Sequence, residues 1–495
     1  MYDFLAASLL SDFYKISHKF QYPEGTELIY STWTPRVSRE EDISEIVVFG
    51  LQPFIKTFLI DFFNVNFFGK PKEKIKNEYE RLIRHTFGIE NPDSSHIVDL
   101  HELGFLPIEI RALAEGSVVP LRTPVMTIHN SNRKFFWVTN YFETIGSCEL
   151  WGPSTVATIA HEYRKLLSKA AIETVGDDEF VQFQGHDFSF RGDNHLAAAM
   201  INGIGHLLSF VGTDTIPAIQ AAEYFYNANI ETELVGCSVN ATEHSIQCTY
   251  GNDYEYYRRM LQDVYPTGII SIVSDGYDFW DVIGNVIPSH RDLIMARDGK
   301  TVVRPDSGDP VLILCGDPLG ETELQRKGAV EALWDVFGGT VTPQGYKILD
   351  SHIGLIYGDA ITRHRAKEIV RLLKAKGFAS INSVLGIGSF SYQYVTRDTF
   401  GWALKSTYCK INGTSIQIFK DPKTDDGTKK SQKGCVVVYE KDGVYTWEDQ
   451  KEFIEASIDP NNKLQPIFRN GKLLVDDTLA AIRERLKKHM SKCIS

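Results

Sequence analysis

Positive charge is scarce in this chain. Lys and Arg number 52 against 64 Asp and Glu over 495 residues, for a net charge of −12. That argues against a nucleic-acid partner, because gripping a phosphate backbone needs a basic face. Cysteine is sparse too: seven, at 148, 237, 248, 315, 409, 435 and 493, none spaced as CxxC. An odd, scattered set gives no disulfide framework and no His/Cys cluster for zinc, and it fits free thiols in a reducing compartment. No apolar run is long enough to span a bilayer. The first residues lack the cationic region and cleavage site of a signal peptide, and Asp3 and Asp12 bracket their short apolar run. No membrane partner and a soluble, cytoplasmic setting are therefore expected. Low-complexity linkers and strict repeats are also missing.

What is present is a recurring pattern. A β-branched run, Thr301-Val302-Val303, ends abruptly in Arg304-Pro305-Asp306-Ser307-Gly308-Asp309. That is how a buried parallel strand looks where it delivers its C-terminal end into a polar pocket. An arginine there can fork onto phosphate oxygens, and a neighbouring aspartate can hold sugar hydroxyls. Six similar endings share the middle of the chain: His186-Asp187-Phe188 followed by Arg191, Gly212-Thr213-Asp214, Gly236-Cys237-Ser238-Val239 leading to Glu243-His244, Ser274-Asp275, Gly358-Asp359, and Gly386-Ile387-Gly388-Ser389. Most are roughly 30 residues apart, one βα unit. Helical patterns over 194–209, 253–262, 324–336 and 360–376 fill the gaps. Alternating strand and helix predicts a parallel sheet, open or closed into a barrel, with ligands at the C-terminal strand ends. Each ending taken alone also reads as an ordinary turn.

The flanks have a different texture. An aromatic-rich helix is predicted over 51–68, half-buried strands over 106–111 and 124–128, and a helix over 155–171 that enters the core. After Arg397 come two hairpins, with Asp442-Gly443 and Asn470-Gly471 as two-residue turns, and a last helix with Leu479, Ile482 and Leu486 on one face. The expected organisation is an α/β chain. An irregular βα-barrel core spans residues 155–395, and a discontinuous, mixed, β-rich domain is built from 1–154 and 396–495. The charged loop 420–430 reads either as a solvated surface loop or as a basic flap over anionic ligands.

These motifs, taken in order with Ser11-Asp12-Phe13-Tyr14-Lys15, Thr396-Arg397-Asp398 and Phe419-Lys420-Asp421-Pro422, resemble the nicotinate/nicotinamide phosphoribosyltransferase family on its nicotinamide-using side. The likeness runs from Asp12 to about Lys472. It implies a type II phosphoribosyltransferase-like barrel. It also implies a homodimer with shared active sites, and formation of nicotinamide mononucleotide from nicotinamide and phosphoribosyl pyrophosphate. ATP hydrolysis through a phosphohistidine would stimulate the reaction, and Mg²⁺ would arrive with the pyrophosphate rather than in a preformed protein cage.

The resemblance also implies roles, residue by residue. Phe188 and Tyr14, the latter from the other subunit, sandwich the pyridine ring. Asp214 accepts from the amide of nicotinamide and repels the carboxylate of nicotinate. Arg191, Arg304 and His244 meet the phosphates, while Asp306, Gly358 and Asp359 hold the ribose. Ser238 and Val302 complete the binding set. Gly388 and Ser389 offer backbone N–H groups to the 5′-phosphate, aided by Arg397. His244 is the phosphoryl acceptor, supported by Glu243 and Asp275. Arg36, Lys405, Lys420 and Lys429 contact ATP and phosphate. One departure stands out: Gly386-Ile387-Gly388-Ser389-Phe390 replaces a run of small residues, and Phe390 is expected to crowd the phosphate loop. Three other readings stay open at this point: a transferase acting on nicotinate, a non-catalytic metabolite-binding protein on the same fold, and a sugar-phosphate decarboxylase or isomerase. The last lacks the strand-end lysine that such enzymes often use as a base.

Overall fold

Six of the seven polar endings close parallel strands; the Gly236-Cys237-Ser238-Val239 run enters a seventh, whose end leads to Glu243-His244. In the computed structural model, which describes residues 4–420, 424 and 431–494, these are β1 (Gly185–Asp187), β2 (Gly212–Thr213), β3 (Asn240–Ala241), β4 (Thr267–Val273), β5 (Asp298–Arg304), β6 (Ile353–Tyr357) and β7 (Ser383–Ile387). Every pairing is parallel, in the order β2-β1-β7-β6-β5-β4-β3. That order is the chain order bent into a ring. The ring is joined where Cys237 N donates to Val211 O (2.7 Å) and Thr213 N donates to Cys237 O (2.9 Å), tying β2 to the segment that enters β3. Helices between the strands make the crossovers that parallel pairing requires. Along β5 the side chains alternate: Thr301 and Val303 are fully buried on one side, while Lys300, Val302 and Arg304 line an interior cavity.

A second sheet is antiparallel throughout. Its order is Thr414–Gln417, Ala403–Ile411, Thr26–Thr34, Met126–Asn130, Ile108–Ala112, Gln465–Arg469 and Lys472–Leu473, so both ends of the chain contribute. Both predicted hairpins form. Asp442 and Gly443, and Asn470 and Gly471, have positive φ at both turn positions, the twist that suits a two-residue hairpin. The core is aromatic, with Trp33 stacked on Trp402 at 5.1 Å and 11°. Leu479, Ile482 and Leu486 of the last helix are buried.

Contacts divide the chain into two compact units. One holds the residues up to Thr158, Tyr224–Asn227 and Thr396–His489. The other holds Ile159–Glu223, Ala228–Val395 and the residues from Met490 on. Tyr224–Asn227 belongs with the antiparallel unit, where Tyr226 Oη donates to Glu115 Oε2 (2.5 Å).

Several helices differ from expectation. The 51–68 helix forms, but from Ile55 onward it is wound mostly as a π-helix. The helix expected from 155 starts at Glu143 and runs to Thr174 straight through Pro153. A proline normally reads as a stop, which is why the earlier turns were missed. The 324–336 helix is two pieces, Glu323–Lys327 and Ala329–Phe337, broken at Gly328, whose φ of 81° is left-handed.

Candidate active site

The ring of strands encloses a cavity of about 460 Å³ that runs lengthwise past Lys300, Val302 and Arg304. Its polar wall comes from the strand ends: His186, Phe188, Asp214, Ser238 and Arg304 all line it. Phe188 reaches its place because Gly386 has no side chain; a Cβ there would lie 2.5 Å from the Phe188 ring. The ring of His186 sits 4.8 Å from that of Phe188.

Asp214 is the charged centre of this wall. Its Oδ1 accepts from His186 Nε2 (2.9 Å) and from Ser238 Oγ (2.6 Å). Burial pushes the carboxyl pKa up, but the two donors and the Arg304 charge outweigh it and hold it below the usual range. Asp214 therefore presents a carboxylate, not a carboxylic acid, to the cavity.

A second cluster gathers at the ends of β4 and β5. His244, first residue of the helix His244–Tyr250, donates through Nε2 to Asp275 Oδ1 (3.0 Å). Asp275 Oδ2 accepts from Asp306 N (3.0 Å). Burial raises the Asp275 pKa, yet its hydrogen bonds from Ser307, Asp306 N–H and His244 leave it lowered. Arg304 donates to Thr242 O (2.7 Å), and its Nε lies 3.3 Å from Asp306 Oδ1 without hydrogen-bond alignment. Asp306 goes the other way: burial pushes its pKa up, Arg304 and His244 offset part of that, and the Asp275 and Asp359 charges add to it. Gly358 lies against Asp306 so closely that any Cβ would collide with its carboxylate.

Ligand atoms of His244, Asp275 and Asp306 lie within 4.8 Å of one another, a set that suits a divalent cation. No metal set was legible in the sequence, because the three residues come from three different strand ends. Glu243 Oε1 accepts from Ser245 Oγ, and Asp275 is the carboxylate bonded to His244.

The turn expected to meet the 5′-phosphate begins at Gly388, with Ser389–Tyr392 as one helical turn. Ser389 packs on Gly192, where a Cβ would collide with it, so the exposed Arg191 turn and the Ser389 turn are neighbours. Phe390 does not crowd the loop. It is 53% exposed and stacks on Tyr394 at 5.5 Å and 8°. Asp359 is exposed, and Val302 lines the cavity.

The remaining candidates belong to the other compact unit. Tyr14 is 58% exposed, with Lys15 Nζ 5.1 Å from its ring centroid. Glu143 bridges Lys15 and Lys405, each at 2.7 Å. Arg36 Nε donates to Gly401 O (2.9 Å), and Arg397 lies 3.6 Å from Asp398. Lys420 is exposed and its N–H donates to Ser431 Oγ (3.0 Å). Lys429 lies outside the described residues. No helix among the described residues is long and apolar enough to cross a membrane.

Comparison with known proteins fits this geometry. Residues 183–472 match the nicotinate phosphoribosyltransferase (NAPRTase) family, and residues 6–110 match the nicotinamide phosphoribosyltransferase N-terminal domain. A nicotinamide phosphoribosyltransferase of Acinetobacter baylyi is 46% identical over 493 residues, covering 97% of this chain and 96% of its own. Among solved structures, the nicotinate-nucleotide pyrophosphorylase from Pyrococcus furiosus superposes with a TM-score of 0.59 at 16% identity, over 98% of this chain and 96% of that one. The human nicotinic acid phosphoribosyltransferase gives 0.57 at 14% identity, over 98% and 94%. These two share the fold. The chain belongs to the nicotinate phosphoribosyltransferase family.

Proposed function

We propose that this protein transfers phosphoribosyl from phosphoribosyl pyrophosphate to nicotinamide, giving nicotinamide mononucleotide and pyrophosphate for NAD salvage. The observation that carries the choice of base is the ionised Asp214 beside Phe188. A carboxylate accepts a hydrogen bond from the amide N–H of nicotinamide, and it repels the carboxylate of nicotinate.

Phe188 gives the pyridine ring a flat apolar face, and in a homodimer the partner subunit's Tyr14 covers the other. The pyridine nitrogen attacks C1 of the ribose and forms the C–N bond. The C1–O bond breaks, its electron pair leaves with the pyrophosphate, and C1 inverts. The protein's share is to align the two reactants and to meet the charge developing on the leaving group. Arg304 and Arg191 serve the phosphates; Asp306, Asp359 and the gap at Gly358 serve the ribose hydroxyls. Gly388, Ser389 and Arg397 serve the 5′-phosphate.

Mg²⁺ fits the carboxylate donors of Asp275 and Asp306, and when bound it would neutralise phosphate charge. The Asp306 Oδ1 that has no hydrogen-bond partner, and the raised pKa of that group, are what a site awaiting a cation would show. ATP stimulation through His244 has a geometric basis. The Asp275 carboxylate can only accept, so Nε2 carries the hydrogen and Nδ1 keeps the nucleophilic lone pair. Arg36, Lys405, Lys420 and Lys429 would contact the nucleotide. The seven free cysteines suit a cytoplasmic setting.

The test is an assay of purified protein with phosphoribosyl pyrophosphate, Mg²⁺ and nicotinamide, with and without γ-labelled ATP. Mononucleotide and an acid-labile label lost in His244→Ala are expected. No mononucleotide would overturn the reading; mononucleotide without label would overturn the phosphohistidine.

A further inference from the structure

The proposed reaction needs two loops held at fixed positions: the strand end carrying Asp214, and the turn carrying Gly388 and Ser389. One buried imidazole touches the base of both. His206 lies on the helix Leu196–Leu207 and is completely buried. Its Nε2 is 2.9 Å from Gly212 O, and its Nδ1 is 2.7 Å from Tyr392 Oη. Gly212 opens β2, two residues before Asp214. Tyr392 closes the turn Ser389–Tyr392, and its own N–H donates back to Gly388 O (3.2 Å).

The chemistry fixes the direction of each bond. A carbonyl only accepts, so Nε2 must carry the hydrogen. The neutral ring then has its lone pair on Nδ1, and the Tyr392 hydroxyl donates to it. Burial, with a smaller contribution from the Asp187 charge, pushes the Tyr392 phenol well above its ordinary range, so it keeps the proton it donates. The imidazole is clamped as well. It stacks on Phe210 at 5.2 Å and 23°, and Phe210 presses on Gly185, where a Cβ would come within 2.7 Å of the ring.

We infer that His206 is a positioning residue that serves both halves of the substrate site. Nε2 sets the base-selecting strand end, and Nδ1 sets the phosphate turn. The inference rests on the roles proposed above for Asp214, Gly388 and Ser389. His206 does not line the cavity, and it reaches the two loops through Gly212 and Tyr392.

Three variants separate the two bonds. His206→Gln keeps an amide N–H within reach of Gly212 O and loses the acceptor for Tyr392. His206→Asn keeps an oxygen near the Nδ1 position and loses the donor to Gly212. Tyr392→Phe removes one hydroxyl and nothing else. A lost buried hydrogen bond is expected to raise the matching KM about fivefold. His206→Gln and Tyr392→Phe should therefore raise KM for phosphoribosyl pyrophosphate and leave that for nicotinamide nearly unchanged. His206→Asn should do the reverse and weaken discrimination against nicotinate. A fall in kcat with both KM values unchanged, or equal changes in both KM values in all three variants, would mark His206 as merely structural and overturn the inference. Amide hydrogen exchange supplies a readout that does not depend on turnover. In Tyr392→Phe, protection should drop over 386–392 and persist over 212–214; unchanged protection in both segments would also overturn it. A wild-type protein that makes no mononucleotide from either base would sink the functional proposal, and the exchange result would still decide whether His206 holds the two loops.

Discussion

The two compact units bury ionisable groups in different ways. In the antiparallel unit burial wins at His96, His129 and Glu115, though not at Glu143, where Lys405 and Lys15 outweigh it. His96 is pushed down to about 3 and His129 to about 4, chiefly by burial, so both rings stay neutral. Glu115 is buried and its pKa is raised by burial, even though Tyr226 Oη and Gln52 N both donate to it. In the barrel unit Asp214 and Asp275 defeat burial, whereas Asp306 follows it. Asp214 and Asp275 are both desolvated and both held below the usual carboxylate range by converging donors. Hydrogen bonds alone do not explain the contrast, since Glu115 has them too. What Asp214 and Asp275 add is a cationic or titratable partner, Arg304 and His186 for one and His244 for the other. Carboxylates kept charged against desolvation in this way are the ones to which the proposed function assigns ligand contacts.

The sharpest way to separate the units is to damage each in its own currency. Trp402→Ala, deep in the antiparallel core against Trp33, should cost about 3–5 kcal/mol of stability. Urea unfolding of that unit would show it. Arg304→Ala should lower kcat/KM about a hundredfold, because it removes a charge aimed at the leaving group, and should change the urea midpoint far less. Full activity in Arg304→Ala would undo the phosphate assignment.

Acid should find the antiparallel unit first through its histidines. Their folded pKa values lie below the ordinary 6.5, so between pH 6.5 and about 4 the unfolded chain binds protons that the folded chain refuses. Stability contributed by the neutral rings is complete above 6.5 and drains away as pH falls through that window. His129→Gln should flatten part of the slope of urea midpoint against pH; an unchanged slope would mean that this histidine is not the sensor.

The smallest effect concerns Asp193, a barrel-unit carboxyl that, like Asp306, follows burial rather than its donors. Asp193 is pushed up to about 7 by burial and by the Asp187 charge. A folded pKa raised above the ordinary 3.8 means that ionisation costs stability; the cost accrues as pH rises from about 4 to about 7 and is complete above 7. Asp193→Asn keeps an oxygen for Gln393 and loses the charge. Its melting temperature should exceed that of the wild type by a few degrees near pH 8, and the gap should close near pH 4.

The barrel was legible because its signal is local. Each strand end carries its polar residues within a few positions, and seven such endings in order leave little choice of topology. The hairpins at Asp442-Gly443 and Asn470-Gly471 were legible for the same reason. Three things were not. Pro153 hid the first turns of the helix Glu143–Thr174. The His244, Asp275 and Asp306 cluster exists only because β3, β4 and β5 lie side by side, with Ala241 paired to Ser271 and Arg304 to Val273. His206 sits in an apolar helix 186 residues before its tyrosine partner, and nothing nearby in the sequence announces the bond. Phe390 shows the converse. A bulky residue at a glycine position suggested a blocked loop, yet the ring turns outward onto Tyr394.

The most direct test of the account is the ratio of kcat/KM for nicotinate to that for nicotinamide, measured in wild type and in Asp214→Asn. The wild type should favour nicotinamide. Removing the charge while keeping the shape should raise the ratio by about tenfold or more, mostly by admitting nicotinate. An unchanged ratio in Asp214→Asn, or a wild type that prefers nicotinate, would contradict the claim that this carboxylate selects the base.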